Sequence, residues 1–171
     1  MIRTLGAFVC ASTLLAAQPA TADIEVSFVE SAPKDRFMIR NTGECELTNL
    51  VVEIDLAPSA GRLVFDTTAS GAGVDVYQPF EITAGDIKLV SSSVVEDGDT
   101  QLALSIGRLL PAGSASFTID VDDTLPVSEL GRTRVTGSEI TNGLIKARMG
   151  RQQVAAVFGG DGTATAVLQA C

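Results

Sequence analysis

The 171-residue chain carries 12 Lys and Arg against 21 Asp and Glu, a formal net charge of −9, and it contains no histidine and no tryptophan. The negative charge argues against nucleic acid or an anionic membrane as partner, because both are bound through positive charge. The absence of histidine excludes Ser-His-Asp and Cys-His nucleophile arrangements and removes the commonest zinc ligand.

The first 22 residues have the layout of a secretory signal peptide. Arg3 supplies a positive charge, Leu5 to Ala17 form a 13-residue run of apolar and small residues, and Ala20-Thr21-Ala22 is an Ala-x-Ala cleavage pattern. The alternative is a retained anchor, but a membrane span needs about 20 apolar residues. We therefore expect cleavage after Ala22, no membrane insertion afterwards, and a secreted or periplasmic protein of residues 23–171.

Cys45 and Cys171 are the two cysteines that remain after this cleavage. An even pair of cysteines in an exported protein predicts a disulfide. Two free thiols do not suit an oxidising compartment, and two cysteines without histidine are a poor zinc site.

Most segments after Asp23 alternate apolar and polar residues and are separated by Gly, Pro or Asn. This period of two, bounded by turn formers, predicts short strands. The candidate segments, from which we expect about ten to twelve strands, lie in order at Ile24–Phe28, Phe37–Ile39, Val52–Leu56, Leu63–Phe65, Val74–Val76, Phe80–Ile82, Ile87–Val90, Leu102–Ile106, Phe117–Val121, Thr133–Thr136, Leu144–Met149, Gln153–Phe158 and Thr163–Leu168.

A helical stripe of convincing length is absent from the sequence, and Ile106–Leu110, before Pro111, is the one candidate for a single helical turn. A chain of about ten to twelve short strands with frequent turns predicts an all-β fold. We expect one antiparallel β-sandwich domain over residues 23–171, with a β-barrel as the alternative.

Three acids near the end of one predicted strand are the candidate metal ligands: Asp120, Asp122 and Asp123. Strand alternation places Ile119 and Val121 on the core face, so Asp120 and Asp122 share the outer face, about 7 Å apart along the strand. Carboxylates at a strand-to-loop junction suit Ca²⁺, which is the candidate cofactor. Acids on an outer strand face are also what solubility requires, and we expect a solvated edge here.

Tyr77 is the chain's single tyrosine and the candidate ligand-binding residue. Carbohydrate-binding modules stack sugars on aromatic rings that combine an apolar face with a polar edge. With no tryptophan present, Tyr77 is the residue that could serve in this way. A place in the core or at a sheet edge is the alternative, and we favour it for Tyr77.

Several stretches resemble one family of small exported bacterial proteins. They are FVESAPKDRF at 28–37, NTGEC at 41–45, FDTT at 65–68 and FTIDVDDT at 117–124. The family they resemble is the aggregation factor core proteins, named after a sponge protein of calcium-dependent cell adhesion. The resemblance implies a non-catalytic role at the cell surface or in the matrix. Separately, Asn41 to Asp55 is similar to a signature of repeated bacterial surface β-sandwich modules.

The sequence therefore favours a non-catalytic exported protein of adhesion or aggregation, with Ca²⁺ as the candidate stabilising ion. Its expected partner is a protein or polysaccharide at the cell surface, or a second copy of the chain. A carbohydrate-binding module is the alternative. An enzyme that uses paired carboxylates is the second alternative.

Overall fold

The computed structural model describes residues 22–70, 78–90, 94–131 and 133–168. These residues form eleven strands and one helical turn. In chain order they are β1 (Ala22–Val29), β2 (Asp35–Asn41), β3 (Leu47–Asp55), β4 (Val64–Asp66), β5 (Glu81–Ala84), β6 (Ile87–Leu89), β7 (Gln101–Leu109), β8 (Ser114–Asp122), α1 (Gly137–Ile140), β9 (Leu144–Met149), β10 (Gln152–Val157) and β11 (Thr163–Leu168).

The strands form two antiparallel sheets, which confirms the predicted β-sandwich. The first sheet has the order β11-β1-β2-β8-β4, and β5 also pairs with β8. The second sheet has the order β10-β9-β3-β7-β6. Within the first sheet, β8 pairs with three strands: β2 along one edge, and β4 and β5 along the other.

The core lies between the two sheets and is built from alternate residues of each strand. In β2 and β3 the buried positions recur at every second residue over most of the strand, as a pleated strand with one covered face requires. Four phenylalanine rings pack against one another in sequence, three from the first sheet and one, Phe80, from the residue before β5. Measured between ring centroids, Phe28 lies 5.1 Å from Phe37, Phe37 stacks at 5.1 Å on Phe117, and Phe80 lies 5.0 Å from Phe117.

The prediction of a strand at Thr133–Thr136 is wrong. This segment precedes α1, and the Thr136 side chain accepts a hydrogen bond from the Glu139 backbone N–H, while the Glu139 carboxylate accepts one from the Thr136 backbone N–H. The sequence Thr-x-x-Glu is a capping box, which favours a helix start over a strand.

The predicted helical turn at Ile106–Leu110 is also wrong, because β7 runs through Leu109. This strand pairs with β3 over its length, and pairing satisfies the backbone groups that a single isolated turn would leave open. The predicted strand at Val74–Val76 lies outside the described residues.

Phe117 sits at the centre of the phenylalanine series and is fully buried. We expect Phe117→Ala to lower the free energy of unfolding by about 3–5 kcal/mol, because it removes a buried ring and leaves a cavity. Urea unfolding measures this loss. Val127→Ala is the control, since Val127 is 86% exposed, and its effect should stay within about 0.5 kcal/mol. A similar effect for both variants would contradict this account of the core.

Candidate metal centre

Three aspartates from two neighbouring strands meet at one end of the first sheet. The strand β4 pairs with the end of β8 so that Asp66 lies directly opposite Asp120. Asp122 follows two residues later on β8 and therefore points to the same face as Asp120. One carboxylate oxygen from each of the three residues lies within 4.8 Å of the others. We call Asp66, Asp120 and Asp122 the carboxylate triad.

The triad is buried, and the expectation of a solvated edge is wrong. Asp66 and Asp122 are 0% exposed and Asp120 is 6% exposed. Alternation assigns Asp120 and Asp122 correctly to the face away from Ile119 and Val121, but it does not show what covers that face. Residues from other parts of the chain line the space beside Asp120: Glu30, Ser31, Ala32, Pro33, Gln78, Thr133 and Arg134.

Burial changes the protonation of Asp120. Loss of solvent raises the pKa of Asp120 to about 7, and the neighbouring charges of Asp122 and Glu30 act in the same direction. The Val121 backbone N–H opposes the rise. At neutral pH, a carboxyl with this pKa is therefore about half protonated.

Asp35, at the start of β2, extends the buried acid cluster beyond the triad. Its two carboxylate oxygens accept hydrogen bonds from the backbone N–H groups of Ser31 and Val121, each at 3.0 Å. Burial nevertheless raises the pKa of Asp35 to about 8, and the charge of Asp120 contributes to that rise. Asp35 therefore fixes the 31–35 turn against β8 and is electrostatically coupled to the triad.

Asp123 is also fully buried but does not belong to the triad. Its Oδ1 atom accepts a hydrogen bond from the Leu125 backbone N–H at 2.9 Å, which closes a turn after β8. The structure thus brings together two of the three predicted ligands, Asp120 and Asp122, and adds Asp66.

Sequence reasoning missed Asp66 as a ligand. The residue directly follows the predicted strand at Leu63–Phe65, so its place at a strand end was visible. Its proximity to Asp120 depends on the pairing of β4 with β8, and strand pairing is not encoded in the period of either strand.

Two other predicted site residues, Tyr77 and Cys171, lie outside the described residues. The prediction of a sugar platform at Tyr77 therefore stays a prediction. Cys45 is buried before β3, and its carbonyl oxygen accepts a hydrogen bond from the Asn41 side-chain amide at 2.7 Å.

The triad has the chemistry of a site for a hard cation. Carboxylate oxygens are the ligands that Ca²⁺ prefers, and three aspartates supply at least three of the six to eight oxygens that it takes. Two charges at about 4 Å in a protein repel by several kcal/mol unless a proton or a cation intervenes. The geometry thus permits two states, one with shared protons and one with a bound cation.

The chain matches no protein-family model, and a search of curated proteins finds no match either. Within the described ranges, no helix is both long enough and apolar enough to cross a membrane.

The raised pKa values of Asp35 and Asp120 predict how stability depends on pH without a cation. Both carboxyls have a higher pKa in the folded protein than the ordinary value of 3.8, which we take for the unfolded chain. The stability that they contribute is therefore fully present below pH 3.8. It is lost as pH rises through about 7 for Asp120 and about 8 for Asp35. In EDTA, the contribution of these two groups to the free energy of unfolding should therefore fall between about pH 4 and pH 8.

Urea unfolding at a series of pH values measures this fall. Asp120→Asn, which imitates the protonated acid, should make the decline shallower up to about pH 7. A wild-type stability that stays flat or rises over the same range would contradict the pKa shifts.

Proposed function

We propose that this protein is a non-catalytic exported β-sandwich of the cell surface or matrix, which acts in adhesion or aggregation and is stabilised by Ca²⁺ at the carboxylate triad. The observation that carries the cation part is the burial of three aspartates whose oxygens lie within 4.8 Å of one another. The signal-peptide pattern and the resemblance to aggregation factor core proteins support the location and the adhesive role.

Ca²⁺ would act here through the folded state alone. The strand pairing of β4 with β8 assembles the triad, so an unfolded chain holds no comparable site. A ligand that binds only the folded state raises stability in proportion to the logarithm of its concentration over its dissociation constant. Extracellular calcium modules have dissociation constants of about 10⁻⁴–10⁻³ M, which suits a protein in a calcium-containing medium.

An enzyme with paired carboxylates is less well supported by the geometry. The acids do converge, and Asp120 has a pKa raised to about 7, as a general acid can have. However, a glycosidase must admit the substrate bond between its two carboxyl groups, so both groups have to be accessible. The burial of Asp66 and Asp122 further favours a structural cation over an open reaction centre.

The Ca²⁺ proposal predicts a change in melting temperature. Ca²⁺ at about ten times its dissociation constant should raise the melting temperature of the purified protein at pH 8 by about 3–5 °C, and EDTA should reverse the rise. Differential scanning calorimetry measures it.

The variant that combines Asp120→Asn with Asp122→Asn should melt higher than wild type in EDTA, because the charge repulsion between these carboxylates is removed. Its melting temperature should not respond to Ca²⁺. Asp66→Asn should weaken the response.

Glu44→Gln is the matched control, because it removes one negative charge from an exposed residue outside the triad. It should keep the full response to Ca²⁺. A wild-type melting temperature that does not move in millimolar Ca²⁺ would overturn the cation proposal. The adhesive role has its own test: beads coated with the protein should clump in Ca²⁺ and disperse in EDTA, and beads that never clump would overturn it.

We also propose that Cys45 pairs with Cys171, as the export signal and the even cysteine count indicate. The unreduced protein should then have a mass lower by two hydrogens than the reduced protein, as measured by mass spectrometry. Reduction should cost about 2–5 kcal/mol of stability, which is typical for loss of a native disulfide. Equal masses before and after reduction would contradict the pairing.

A further inference from the structure

A cleft opens beside the triad at Asp120, and most of the residues that line it are polar or charged. Its volume is about 320 Å³, and three separate segments form its walls. Glu30 to Pro33 come from the turn before β2, Gln78 precedes β5, and Thr133 and Arg134 precede α1. Asp120 is the triad residue among those that line the cleft. The cleft therefore borders the triad at Asp120.

Contacts between the walls fix the shape of this cleft. The Arg134 guanidinium makes a two-pronged ion pair with the Glu30 carboxylate, at 2.9 and 3.1 Å. On the other side, the Lys34 Nζ atom donates to the Pro79 carbonyl oxygen at 3.2 Å and pairs with the Glu81 carboxylate at 2.6 Å. The residue next to Pro79 is Gln78, so the segment that carries Gln78 is held to the segment that carries Glu30.

Gln78 has an unsatisfied polar atom at this cleft. The residue is 8% exposed, and its Oε1 atom is buried without a hydrogen-bond partner in the described structure. A buried acceptor without a partner destabilises the folded protein, because it gives up its hydrogen bonds to water and gains none in return. An apolar residue would avoid that cost, so the amide at this position points to a ligand that comes from outside the chain.

We propose that Gln78 Oε1 is a neutral oxygen ligand of the cation that the triad binds through this cleft, and that it favours Ca²⁺ over Mg²⁺. This inference rests on the proposed function. Ca²⁺ takes six to eight oxygens, including amide carbonyls, in flexible geometry, whereas Mg²⁺ demands a tight octahedron and keeps several waters. A neutral amide adds coordination without adding a fourth negative charge beside Asp120.

Isothermal titration calorimetry of the EDTA-stripped protein with CaCl₂ and with MgCl₂ tests this role. Gln78→Leu should weaken Ca²⁺ binding by about tenfold or more and should leave the weaker Mg²⁺ binding less affected. In EDTA the same variant should melt at or above the wild-type temperature, because an unsatisfied buried amide has been replaced by an apolar group. Gln78→Glu, which keeps an oxygen at the same reach, should retain Ca²⁺ binding.

Gln153→Leu is the matched control, since it makes the same change on the exposed face of β10. It should bind Ca²⁺ as wild type does. If wild type binds Ca²⁺ and Gln78→Leu binds it equally well, the role of Gln78 is overturned while the proposed function stands. If Gln78→Glu loses binding as Gln78→Leu does, the role as an oxygen ligand is likewise overturned. If wild type binds no Ca²⁺, the proposed function fails first.

Discussion

The end of the first sheet depends on one constraint: aspartates on one face of β8 are buried away from water, and their charge has to be balanced inside the protein. The alternation of the strand commits Ile119 and Val121 to the core, so Asp120 must take the opposite face. Once the turn before β2 and the segment before α1 cover that face, water no longer screens the acids. Backbone N–H groups, protons or a cation then have to balance the charge.

Much of the fold could be predicted from the sequence because it depends on short-range pattern. The strands β9 and β11 have the predicted bounds, and the faces of β8 follow from its alternation. The sequence analysis missed the helical turn α1, because the alternation of apolar and polar residues predicts a strand at Thr133–Thr136. Local hydrogen bonds between Thr136 and Glu139 decide that segment.

The candidate site could be predicted only in part, and the missing part is non-local. Asp66 lies beside Asp120 because β4 pairs with β8, and Asp35 reaches β8 through its hydrogen bond to Val121. Neither contact can be predicted from the spacing of residues near Asp120. The burial of Asp122 depends on segments distant in sequence. Natural folds depart from local rules mainly where function needs it, and a buried group of acids is such a departure.

The pairing of β1 with β11 has a consequence for how the protein comes to be folded. The first and the last described strands lie side by side, and β1 is held between β11 and β2. The first sheet cannot be completed until nearly the whole chain is available, and contacts of such long range form slowly. The first sheet therefore gains its edge strand β11 only after the rest of its strands have been synthesised.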